Sequence, residues 1–89
     1  MNYENPILEE RLSTHGSYRD TAMVSQELKN VIRRLGLNKM SPAQKESLDL
    51  ICTKIARLVC GDPDHKDSWD DIAGYAELIS LSLDEKAAT

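Results

Sequence analysis

Glu46 and Asp49 stand three residues apart in a segment of helical periodicity, so their carboxylates share one face. Two carboxylates at that spacing can hold a hard divalent cation such as Mg²⁺. Lys54 and Arg57 follow on the same segment near that face, and cations there can hold phosphate. A plainer reading is a solvated helix face whose charges pair with one another, and spacing alone favours it. A second acidic set is Asp62, Asp64, Asp67, Asp70 and Asp71. Asp62-x-Asp64 invites a calcium-loop reading, which fails on inspection. Lys66 takes the fifth position, Asp67 replaces the turn glycine, and Ala73 stands where a bidentate Glu belongs. Helix capping and solubility account for most of these aspartates.

The remaining chemistry-bearing residues are few. His15 precedes a glycine in a turn and His65 lies in a polar loop, neither with a Cys or His at metal-ligand spacing. A turn role for His15 and simple exposure for His65 are expected. Cys52 and Cys60 are eight residues apart in one helical segment, about 12 Å along the axis, too far for a disulfide within it. They are expected to be buried free thiols. Trp69, with Tyr75, reads as a core or interface anchor, or as one wall of a base-stacking pocket. No serine or cysteine sits in a nucleophile motif, and no glycine-rich loop follows a strand.

Four helices must position these groups. Asn5-Pro6 opens the first, which should run to about Ser13 and close at Thr14-His15-Gly16-Ser17. The second is expected from Tyr18 to Gly36. Val24, Leu28, Val31, Ile32 and Leu35 form its apolar stripe, Glu27, Lys29, Asn30, Arg33 and Arg34 lie opposite, and Gly36 suits its end. Ser41-Pro42-Ala43-Gln44 is the clearest cap in the chain, with the serine, proline and glutamine of a capping box. The third helix runs from there to about Cys60, before Gly61. Its apolar positions are Leu48, Ile51, Cys52, Ile55, Leu58 and Val59. After a turn-rich loop, Asp67 or Ser68 should cap a fourth helix. Its stripe is Trp69, Ile72, Ala76, Ile79 and Leu83, widened by Tyr75 and Leu78. Gly74 in mid-helix costs about 1 kcal/mol relative to alanine, which suggests close packing there. The expectation is one all-α domain over residues 1–89, a compact four-helix bundle with frayed ends at about 1–5 and 84–89. Its loops are short, which favours antiparallel neighbours.

The 89 residues carry a net charge of −4, so a nucleic-acid surface is not expected. No segment approaches the roughly 18 apolar residues that span a bilayer. Met1 to Glu10 lacks the pattern of a signal peptide, and a cytoplasmic location follows as an expectation. A domain this short buries a modest core. Self-association would bury more, and the wide stripe on the fourth helix leads us to expect a homo-oligomer.

Three segments together form a pattern. They are His15-Gly16-Ser17-Tyr18, then Lys54-Ile55-Ala56-Arg57-Leu58 with Gly61-Asp62-Pro63, then His65-x-Asp67-x-Trp69-Asp70-Asp71-Ile72-Ala73-Gly74-Tyr75-Ala76. This resembles a family of small, mostly uncharacterised bacteriophage and prophage proteins, over about Thr14 to Ile79. That family is similar in turn to the MazG-like all-α nucleoside triphosphate pyrophosphohydrolases, which are helical and usually oligomeric. The resemblance implies Mg²⁺ held by carboxylates of two adjacent helices, through an E-x-x-E pair and an E-x-x-D pair. Glu46-Ser47-Leu48-Asp49 fits the second pair. The first is broken, because Glu27 is followed three later by Asn30. On the resemblance, Glu46 and Asp49 are catalytic and metal-binding, with Glu27 a further ligand. Lys54 and Arg57 lie near phosphate, and Asp71, Tyr75 and Trp69 at the nucleotide. A missing ligand weakens a site for a cation that already prefers its waters. The competing expectation is a non-enzymatic phage protein that binds a host defence or regulatory protein.

Overall fold

The structure is a computed structural model and describes residues 6–36 and 38–88. It is all-α, with α1 (Pro6–His15), α2 (Tyr18–Gly36), α3 (Pro42–Cys60) and α4 (Lys66–Ala88). The start of α3 follows the expected chemistry. Ser41 Oγ accepts from the Gln44 backbone N–H at 3.1 Å, and Gln44 Oε1 accepts from the Ser41 N–H at 2.9 Å. Helix α1 runs two residues beyond Ser13 and stops at Gly16, whose φ of 76° only glycine adopts easily. Asn5 and the expected fraying of residues 1–5 lie outside the described residues. At the other end, 84–88 continue α4 as helix, because Glu85, Lys86, Ala87 and Ala88 all favour it.

Helix α4 begins earlier than the Asp67 or Ser68 cap implied. His65 stands just before it, its carbonyl accepting from the Ser68 N–H at 3.2 Å. The Ser68 hydroxyl lies 2.9 Å from His65 Nδ1 and is buried. His65 is therefore half-buried rather than simply exposed, and its ring meets that of His15 edge to face at 5.4 Å. The end of α1 is tied to the end of α3 by backbone. Asp62 N–H, just past α3, donates to Thr14 O at 2.7 Å, and the Thr21 hydroxyl of α2 holds the same end by donating to His15 O at 2.8 Å. A Cβ on Gly16 would collide with the Cys60 carbonyl, and one on Gly61 with Thr14 and His15. Both glycines are required for this approach.

Helix α3 is central. It packs against α2 along one flank and α4 along the other, and among the described residues α2 and α4 do not touch. Small side chains set the spacing. Cys52, Ala56, Ser47, Ser25, Thr21 and Ser68 are buried where helices meet, and Leu58 is the one large apolar side chain buried among the described residues. Small contacts of this kind allow interaxial distances toward the low end of about 8–10 Å. The molecule is a layer 55 × 26 × 18 Å in extent.

This arrangement divides each apolar stripe. On α2 the flank toward α3 is Thr21, Ser25, Leu28 and Ile32, while Val31 and Leu35 are exposed. On α3, Cys52 and Leu58 are buried on opposite flanks, while Leu48, Ile55 and Val59 face out between them. On α4, Ile72 and Ile79 are half-buried, and Trp69, Ala76 and Leu83 are exposed. Gly74, read as a close-packing site, has nothing within 4 Å of where a Cβ would stand.

Candidate functional site

The centre of the polar surface is Thr53 on α3. Its Oγ1 donates to the Asp49 carbonyl at 3.2 Å, as a helical hydroxyl often does one turn back. The same oxygen accepts from Lys29 Nζ of α2 at 2.9 Å and lies 3.4 Å from Ser25 Oγ. One residue on, Lys54 reaches the other flank and pairs with Asp71 of α4, Nζ to Oδ2 at 2.7 Å. The Lys54 side chain is 16% exposed and Asp71 46%. Covering a cation to this extent is costly unless it is paired, and Asp71 is the partner. Arg57, half-buried, follows Lys54 by three residues and Thr53 by four, on the same side of α3.

Two cross-helix contacts therefore mark one surface of the layer, with Lys29, Thr53, Lys54 and Asp71 on it. Tyr75 is four residues beyond Asp71, on the same side of α4 and half-buried. Asp71 and Tyr75 line a groove along α4 with Asp70, Gly74, Glu77, Leu78 and Leu81. The structure thus brings together Lys54, Arg57, Asp71 and Tyr75 of the expected nucleotide-binding set. Trp69 is elsewhere. Two residues from Asp71, it points about 160° away around the helix, and its indole N–H donates to Pro63 O at 2.8 Å.

The carboxylates are distributed differently. Glu46 is exposed and Asp49 half-buried, both near Thr53 on α3. Glu27 is on the side of α2 turned away from α3. It lines a separate shallow depression with Asn30, Val31, Arg33 and Arg34, and there Asn30 Oδ1 accepts from Arg33 at 3.1 Å. Among the described residues no three His, Cys, Asp or Glu side chains converge to hold a metal ion. Glu27 thus lies apart from Glu46 and Asp49, and the three do not converge among the described residues.

Sequence reasoning gave no site role to Lys29, Ser25 or Thr53. Ser25 held the signal, since it recurs with Thr21, Leu28 and Ile32 at helical spacing. A small polar residue on that line marks a helix contact that admits polar reach from beside it.

The fold and this surface define a small all-α protein of four helices centred on α3, with a charged, hydrogen-bonded patch on one side. The chain belongs to the DUF6378 family, described as a domain of unknown function, whose match covers residues 2–81. No curated protein and no solved structure matches it. Among the described residues no helix is long and apolar enough to cross a membrane.

Proposed function

We propose that this chain binds a nucleotide through the Lys29, Lys54 and Arg57 surface, as a MazG-like binding protein. The observation that supports the reading most is the placement of two amines on one surface, Lys29 of α2 at Thr53 and Lys54 of α3 at Asp71. Arg57 lies a turn further along. Cations held this way lose little side-chain freedom on taking up a phosphate, and arginine adds a fork of donors. The groove past Tyr75 and Gly74 offers an apolar floor for a base, with Leu78 and Leu81 beyond.

Turnover as a Mg²⁺-dependent pyrophosphohydrolase is the more demanding form of the same proposal, with Glu46 and Asp49 as its carboxylates. The test separates the two forms. Binding of a panel of (deoxy)nucleoside triphosphates is measured by calorimetry, with and without Mg²⁺, alongside pyrophosphate release. Lys54→Ala should weaken binding about tenfold or more, the loss of one charge-assisted contact. Glu46→Ala should leave binding intact and abolish any release. A folded wild type that binds none of the panel at millimolar concentration would sink the proposal.

The acidic rim of the α4 groove favours a second reading. Asp70, Asp71 and Glu77 surround Gly74, Leu78 and Leu81, a surface suited to a basic apolar segment of another protein. This is the form that binding to a host protein would take. Leu78→Glu should then abolish a host complex, and Lys54→Ala should not.

A further inference from the structure

The chain has two histidines, and the fold brings them together. His15 ends α1 and His65 stands just before α4, yet α1 and α4 do not pack on one another among the described residues. The two imidazoles meet with ring centres 5.4 Å apart and planes at 89°. Each is held from its own side. The His15 carbonyl accepts from the Thr21 hydroxyl at 2.8 Å, and the turn at Gly16 follows it. His65 Nδ1 lies 2.9 Å from the hydroxyl of Ser68, which is 2% exposed. The backbone bond from Asp62 N–H to Thr14 O fixes the two segments against each other.

We propose that His15 and His65 together bind one divalent transition-metal ion of the zinc class at this junction. The ring spacing fits. An imidazole nitrogen sits about 2.0–2.1 Å from zinc, with the ring centre roughly 1.1 Å behind it. Two imidazoles at the tetrahedral angle on one ion then have centres about 5.2 Å apart. Perpendicular planes are compatible, because rotation about each metal–nitrogen bond leaves that separation unchanged. Ser68 supplies what a ligating histidine needs on its other side. With His65 Nε2 given to the ion, Nδ1 carries the proton and donates to Ser68 Oγ, which sets the tautomer and the ring orientation. The surroundings favour a cation. Asp62, Asp64 and Asp67 flank His65 in the chain against Lys66 alone, and Lys66 is paired with Asp70. Imidazole suits zinc, nickel or copper, whereas Mg²⁺ and Ca²⁺ take oxygen, so this site differs in chemistry from the carboxylates of α3. It shares no residue with the Lys29, Lys54 and Arg57 surface and does not depend on nucleotide binding. No third His, Cys, Asp or Glu joins the pair among the described residues, so water fills the other positions. Two protein ligands supply about half of what a four-ligand site does, which gives a dissociation constant on the order of 10–100 µM. An ion held there pins α1 to the start of α4, a link that no helix contact makes.

The test is proton NMR on the intact chain, in which the two imidazoles are the only histidine signals. Zinc chloride added at neutral pH should move the signals of both rings with one shared midpoint below about 1 mM, and a chelator should return them. Magnesium chloride should move neither. Calorimetry should count one zinc per chain. His15→Gln and His65→Gln should each weaken binding about tenfold or more. Changing Cys52 and Cys60 together to alanine should leave it unaltered. The wild-type spectrum decides the matter even where a variant fails to fold. A folded wild type in which neither ring, or only one, responds to zinc by about 1 mM overturns the proposal. Zinc binding that survives either glutamine substitution overturns it too, as does binding lost with the two thiols.

Discussion

Single residues carry the sharpest chemistry. Burial pushes the Cys52 thiol above its ordinary 9.0, and the nearby Asp49 charge pushes it further. The folded state then holds that proton more tightly than the unfolded chain. The resulting stability is complete below pH 9.0 and is lost as pH rises from there through the folded pKa. Between about pH 8 and 11, denaturant midpoints should fall more steeply for wild type than for Cys52→Ala. Alkylation followed by mass spectrometry should modify half-buried Cys60 well before Cys52. Gly16 gives a stability prediction. Its φ of 76° and the Cys60 carbonyl beside it leave no room for a methyl group. Gly16→Ala should cost at least about 1–2 kcal/mol in urea unfolding. These residues were partly legible in the sequence. A glycine after a histidine in a turn was visible, and so was the isolation of the two thiols. The pairings of Lys29 with Thr53 and of Lys54 with Asp71 were not, since spacing within one helix says nothing of which neighbour it meets.

At the scale of elements, the sequence was most informative where the signals are local. The capping box of α3 and the glycines after α1 and α3 act within a few residues, and the helices stop and start near them. Ser41→Ala should remove about 1 kcal/mol, read as a lower melting temperature with unchanged helicity. Gly74→Ala should do the reverse. With nothing within 4 Å, an alanine there gains helix propensity of about 1 kcal/mol without a clash. The same methyl narrows the groove beside Tyr75, so if the proposed nucleotide site is there, its affinity should drop as stability rises. The apolar stripes were correctly placed on their helices, but which part of each meets a neighbour was not legible. Periodicity locates a face and is silent on whether that face meets a neighbour. In α2 the neighbour is met by Thr21 and Ser25, which a search for apolar residues passes over.

For the whole molecule, the all-α class followed from three helical stripes and the lack of any strand pattern. The expected compact bundle is built around α3, on which α2, α4 and α1 each pack, while α2 and α4 meet α3 on separate flanks. If the chain self-associates, its melting temperature should rise with protein concentration, as mass action requires.

The central position of α3 also has a kinetic side. Each packed pair of long helices is a hairpin of sequence neighbours, α2 with α3 and α3 with α4. Low separation between partners gives a short conformational search and fast refolding, in the microsecond to millisecond range typical of helical proteins. Either hairpin can close before the other, because neither needs the other's outer helix. Refolding after rapid dilution should therefore open with a phase whose rate ignores protein concentration. In a dimer, a second phase should follow whose rate scales with it.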